Sequence, residues 1–293
     1  MGGRGSLYTT YSNANAGGSD LPNLFFEEEE NDTEKEYNGK TEKLKGKNIH
    51  IKESTDDLPE DIFIPNINKI DSLSRKYLKT QQILKDTEQQ ISIKSRNLDN
   101  NAVACFSFLP DEFTNMSIQL DKRTFKNAKN RQSYEKDVAE QIRQGHWLKT
   151  DAKEYVNSTI SHEYGHYVQR VLMELDRQTP EGKKIYEDFK NSYRSAKTKS
   201  ARTHIAKSYR EAYATKYFKA IQREHRKYFN KEQDIDEIMS GYGKESDREA
   251  FAELFMHLNC SKQPNTFAQA MESFLNKKLN PEDKQRLHKL TKQ

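Results

Sequence analysis

Ser161-His162-Glu163-Tyr164-Gly165-His166 sets two imidazoles four residues apart, with a carboxylate directly after the first. On a helix that spacing is one turn, so both rings face the same way. A zinc ion takes nitrogen and oxygen ligands at roughly 2.0–2.2 Å, and two such imidazoles supply half of a tetrahedral site. Glu163 sits about a hundred degrees round the helix and flanks the site without joining it. Its place is that of a general base, within reach of an attacking water.

The surrounding residues predict the helix. Asp151 is a candidate N-cap, and Tyr155, Val156, Ile160, Tyr167, Val168, Val171, Leu172 and Leu175 recur at helical spacing. Upstream, Ile91 to Lys94, Val103 to Phe108 and Met116 to Leu120 alternate with a period near two and predict short strands, with turns at Asp99-Asn100-Asn101 and Leu109-Pro110-Asp111. A sheet in that position could hold an extended peptide as one more strand. Between sheet and helix, Tyr134, Val138 and Ile142 mark an amphipathic helix ending near Gly145, and Trp147 is expected as a core anchor. Before the sheet, Asp61 to Asn68 reads as extended around Pro65, and Asp71 as the cap of a helix running to Gln90.

Two histidines do not hold a catalytic zinc; a third protein ligand is needed. The metzincin pattern would supply it from a His six residues after His166, with a Gly at three, but those places hold Leu172 and Gln169. The candidates elsewhere are His204, His225, Glu245, Asp247, Glu249, Glu253 and His257. Among them, Glu249 and Glu253 share one face of a helix that Ser246 or Asp247 can cap, following a turn at Gly241 and Gly243. Ala250 and Ala252 keep that helix slim enough for close approach, while Phe251 and Phe255 pack it down. One of the two glutamates completes the site, and the other can hydrogen-bond a ligand from behind. Gly165 would let either this helix or a substrate strand come close.

At these residues the sequence resembles the anthrax lethal factor type of zinc peptidase. That family's H-E-x-G-H is followed by a Tyr-Gly turn and a helix of the form E-x-F-A-E-x-F, here Tyr242-Gly243 and Glu249 to Phe255. The resemblance implies a zincin fold and one zinc ion held by His162, His166 and Glu249. It also implies Glu163 as general base, Tyr242 as the donor at the reacting carbonyl, and Glu253 as the glutamate one turn beyond the ligand. Metallopeptidase domains encoded by phages are similar, and the Gly-rich start of the chain resembles theirs. The likeness spans roughly residues 90–180 and 236–275 and omits the N-terminal arm and the stretch from Lys183 to Lys231.

Composition sets the frame. The 293 residues are 33% hydrophobic and 32% charged, enough apolar material for one core with polar extensions. Residues 1–60 are expected as a Gly/Asn-rich and acidic arm, whose block from Glu27 to Glu36 could fold back as an inhibitory or docking tail. Residues 61–293 are expected as a mostly helical α+β catalytic domain with a small sheet and a basic helical insert at about 180–235. From Lys183 to Lys231 there are fifteen Lys and Arg against four Asp and Glu, a net of +11, interleaved with aromatics. That fits amphipathic helices with a solvated basic side, able to grip an acidic partner; no nucleic-acid-binding motif accompanies the charge. Phe267 to Leu290 reads as short amphipathic helices broken by Pro281.

Cys105 and Cys260 form no disulfide framework, and Cys105 is expected as a small core residue. With no signal-peptide core and no apolar run long enough for a membrane span, the expected location is cytoplasmic, with a phage-encoded protein or export by a non-classical route as alternatives. The leading expectation is a zinc endopeptidase acting on a protein or peptide. The alternative is a zincin-fold binding or inhibitory module whose basic insert grips an acidic protein or nucleic acid.

Overall fold

The computed structural model describes residues 49–51, 59–89, 91–98, 102–108, 116–229 and 238–280. The Gly-rich start, the acidic block, both expected turns beside the strands and everything after Asn280, including Pro281, lie outside them.

Three alternating runs form the expected strands: β2 (Ile91–Arg96), β3 (Ala104–Ser107) and β4 (Met116–Asp121). A further strand, β1 (Ile49–Ile51), comes from the stretch expected as an arm and pairs parallel to β2 through Ile49↔Ile91. The sheet order is β1-β2-β4-β3. β2 and β4 run parallel with Ile93 opposite Ile118, and β3 returns antiparallel with Phe106 opposite Ile118. β3 is therefore an edge, paired to β4 alone among the described residues. Cys105 is buried with Leu98 and Ala102, as its apolar neighbours predicted, and both cysteines are free.

The region before the sheet differs from expectation. Asp61 to Asn68 is helical, within α1 (Glu60–Lys76), and α2 (Leu78–Asp86) follows after a break at Tyr77. Pro65 lies inside α1 and removes one intrahelical hydrogen bond. Ile62, Phe63, Ile67, Ile70 and Leu73 offset that loss by burying one continuous stripe. Asp71 caps nothing; it sits in mid-helix with its carboxylate 3.0 Å from Arg75 Nε one turn on.

After the short α3 (Lys122–Phe125) comes α4 (Ala128–Arg143), the expected amphipathic helix. Gly145 ends it at φ +71°, a left-handed conformation that glycine adopts without strain. Trp147 is buried just beyond. A single 3-10 turn, Ala152–Glu154, leads into α5 (Tyr155–Arg177), which carries both histidines. Asp151 is not the side-chain cap of that helix: its carbonyl starts the 3-10 turn by accepting from Glu154 N–H, and its carboxylate accepts from Lys262 N–H at 2.6 Å.

Residues 158 to 174 of α5 are all buried, the polar ones included. α1, α2, β3 and β4 cover it on one side and α8 (Asp247–Cys260) on another. α8 approaches closely because Gly165 has no side chain: a Cβ there would stand 3.1 Å from Ala252 Cα and 3.2 Å from Phe255 Cβ. Of the two roles expected for Gly165, the approach of the Glu249 helix is the one realised.

The basic stretch forms two helices, α6 (Pro180–Ser195) and α7 (Lys199–Phe229). Most of their aromatics turn inward, with Phe189 and Tyr209 stacked at 4.1 Å between ring centroids, while Tyr228 is exposed. α7 continues past α6 to pack on α8 and on α9 (Thr266–Leu279), a helix of the expected C-terminal stretch. The insert is thus part of the wall around α5 and α8. The chain is α+β and mostly helical, and no helix among the described residues is long and apolar enough to cross a membrane.

Candidate metal centre

His162, Glu163 and His166 reach the site from mid-α5, and Glu249 reaches it from the first turn of α8. The turn before α8 is held by backbone bonds to the end of α4: Gly241 N–H to Gly145 O and Tyr242 N–H to His146 O, both 2.9 Å. Ser246 Oγ then caps α8 by accepting from the Glu249 N–H at 3.2 Å. A helix start anchored at both ends delivers Glu249 to α5 with little freedom.

Glu249 Oε2 lies 3.2 Å from His162 Nε2 and 3.3 Å from His166 Nε2. All three residues are buried, and their ligand-type atoms lie within 4.8 Å of one another. In a tetrahedral site with bonds of about 2.0–2.1 Å, neighbouring ligand atoms are roughly 3.3 Å apart. The donor set and its spacing fit a metal ion, and this group could hold one.

The tautomers follow from the surrounding bonds. Gln169 Nε2 donates to Arg248 O at 2.9 Å, so Gln169 Oε1 is the acceptor facing His166 Nδ1 at 3.2 Å. His166 therefore carries its proton on Nδ1 and turns the Nε2 lone pair to the site. Glu253 stands behind His162, with Oε1 3.6 Å from Nδ1, close enough for its charge to act on the ring but longer than a hydrogen bond. Its other oxygen accepts from Leu148 N–H and Ser240 Oγ, each at 2.9 Å. Carboxylate or amide partners behind ligating imidazoles are what fix ring orientation in metal sites.

Charge follows the same layout. Burial would raise the Glu249 carboxyl, but Arg248, whose Nη2 donates to Oε1 at 2.6 Å, and then the two imidazoles hold it well below the usual carboxylate range. Burial lowers His166 to about 4. Burial would lower His162 too, but Glu249, Glu253 and Glu163 outweigh it and carry the ring to about 10. Glu163 is raised to about 7, first by burial and further by Glu249. Neither of its oxygens makes a hydrogen bond of good geometry, and the Phe106 backbone in β3 is the weakest of the influences that favour its charged form. Burying a carboxylate without strong partners is costly, and it leaves a group ready to accept a proton.

No protein-family model, curated protein or solved structure matches the chain. What the site can do therefore rests on its own geometry.

Tyr242 is buried on the His162 side, with ring centroids 5.8 Å apart and the His146 ring 5.9 Å away. The remaining candidates for the third ligand are engaged elsewhere or turned to solvent. His204 and Glu245 are exposed, and neither belongs to the cluster. His225 stacks on Phe267 at 3.9 Å, Asp247 accepts from Thr215 Oγ1, and His257 bridges Lys149 O and the Asn265 N–H. Sequence reasoning missed Arg248, Gln169 and Ser240. Gln169 had a local signal, three residues after His166 on one face. Arg248 directly precedes Glu249 but acquires its role only through the packing of α8, and Ser240 acts only through the turn.

Proposed function

We propose that the chain is a zinc-dependent endopeptidase of zincin type that hydrolyses a peptide bond with an activated water. The convergence of two imidazole nitrogens and one carboxylate oxygen at ligand spacing, with Glu163 buried and poorly solvated beside them, carries this reading. His162, His166 and Glu249 hold the ion. A bound zinc supplies Lewis acidity and brings the pKa of water to about 7.

Glu163, raised to about 7, accepts the proton of the attacking water and returns it to the leaving amine. Glu253 and Gln169 keep both ligand rings turned toward the site through the attack. Tyr242 supports the oxygen of the reacting carbonyl, a contribution typically worth about 3 kcal/mol for such a donor. The substrate is an extended peptide, added along the β3 edge whose Phe106 backbone neighbours Glu163. A binding module has no use for a costly buried general base, which favours the enzyme over the non-catalytic alternative.

The test is elemental analysis of the purified protein together with mass-spectrometric sequencing of the peptides it releases from a complex mixture. One zinc per chain and cuts within peptides are the expected result. Zinc at one per chain with no cut in any peptide would favour the binding module.

A further inference from the structure

A pocket of about 370 Å³, its mouth included, opens beside His166 and runs between β3, α5, α7 and the start of α8. Its walls include Arg170, Arg210 and Arg248, and no acidic residue lines it. The rest is largely aromatic and apolar, Phe108 included.

Resting on the peptidase reading above, we propose that this pocket is a substrate subsite for a carboxylate carried on a short apolar stem, next to the bond that is cut. Arg248 pairs with Glu249 at 2.6 Å and Glu211 at 3.7 Å, and Arg210 Nε donates to Ala206 O at 3.3 Å. Arg170 faces Glu174 at a long 3.8 Å, while Arg177 holds the same carboxylate at 2.7 Å. Arg170 and Arg210 both lie over the Phe108 ring, their Cζ atoms 5.3 and 5.7 Å from its centroid. Such cation–π contacts help to hold the guanidiniums in place, and the fork of donors on a guanidinium matches the two oxygens of a carboxylate.

The electrostatics agree. Burial, and then the neighbouring Arg248, lower Arg210 to about 10, and burial lowers Arg170. Cations disfavoured by their surroundings gain when an anion arrives. Phe106, Phe108 and Met173 would cover the methylene stem. The basic insert thereby serves the substrate as well as the fold, since α7 brings Arg210 and Tyr213 to the pocket wall.

Two sources share this chemistry, the side chain of a Glu or Asp inside the substrate and the terminal carboxylate of a peptide. The experiment compares zinc-loaded protein on C-terminally amidated peptides with Glu or Gln at each position around one bond, and on free-acid peptides lacking acidic residues. Cleavage of the amidated Glu peptides at one fixed position, favoured about ten-fold or more in kcat/KM over Gln, assigns the side chain. Removal of only the last residue from free-acid peptides assigns the terminus. In Arg210→Gln the preference should collapse to within about two-fold, with at most partial recovery in Arg210→Lys, whereas Lys219→Gln on the same helix should not alter it. Cleavage with no preference for either carboxylate overturns the subsite and leaves the peptidase reading standing.

If no peptide is cut, N-acetylglutamate amide and N-acetylglutamine amide decide the pocket by thermal shift. Stabilisation by the glutamate compound alone, lost in Arg210→Gln, sustains the carboxylate site while the peptidase reading fails. Equal responses to the two compounds overturn the site.

Discussion

His162 Nε2 and Glu249 Oε2 stand 3.2 Å apart although 87 positions separate them in the chain. A lone pair and a carboxylate oxygen face each other this way across a proton or a cation. Because a metal binds the folded chain and not the unfolded one, its removal costs stability, about 4 kcal/mol when the free ion exceeds Kd a thousand-fold. Chelation should therefore lower Tm by several degrees, with recovery when zinc is returned. In Glu249→Gln the melting curve should not respond to the chelator. A wild-type curve that is equally unresponsive would speak against the site.

Glu253 touches no candidate metal position, yet it faces His162 Nδ1 and is itself held by Leu148 N–H and Ser240 Oγ. Losing a partner of this type typically weakens metal affinity by about 10- to 100-fold. Glu253→Ala should bind one zinc with a Kd raised by that factor, measured by competition with a coloured chelator. Unchanged affinity would mean that the ring needs no support.

Gly165→Ala places a methyl group against Ala252 and Phe255, where the backbone of α8 has to move. Overpacking of this kind costs about 1–3 kcal/mol. Since α8 carries Glu249, denaturation midpoint and zinc affinity should fall together. A stability loss without any change in zinc affinity would show that α8 moves without disturbing its first turn.

His257 makes the fold sensitive to acid. Its Nδ1 donates to Lys149 O at 2.5 Å, and Nε2 accepts from the Asn265 N–H at 2.9 Å at the start of α9. Both nitrogens are used in the neutral form, and burial lowers the pKa of the ring. The unfolded chain binds this proton near pH 6.5, whereas the folded chain resists it. Stability is therefore full above about pH 6.5 and declines as the pH falls toward the lowered folded value. Tm of the wild type should drop between pH 7 and 5, and His257→Gln should start lower with a shallower drop. Parallel curves for the two proteins would remove His257 as a cause.

Some of this was legible in the sequence and some was not. The α5 and α8 site helices, the β2, β3 and β4 strands and the pairing of His162 with His166 followed from local signals: histidine spacing, alternation, and the cap at Ser246, whereas spacing left Glu249 and Glu253 as equal candidates and only the family resemblance pointed to Glu249. Gly165 was legible because only a glycine allows the approach that the small Ala252 invites. The helical course of residues 61 to 68 was not, since Pro65 argues locally against it and only burial of the Ile62 to Leu73 stripe overrides that. Asp151 and Asp71 have the side chains of caps, but tertiary partners decided their use. β1 is three residues long and exists through its pairing with β2. The arginine pocket needs four elements to meet, and no single stretch encodes it.

The most direct measurement compares wild type with Glu163→Gln, scoring zinc content and peptide cleavage on the same preparations. The substitution keeps the size of the side chain and removes the proton acceptor. Equal zinc, equal melting temperature and a loss of about 10²- to 10⁴-fold in kcat are expected. Full cleavage by Glu163→Gln at one zinc per chain would contradict the assignment of Glu163 as the base.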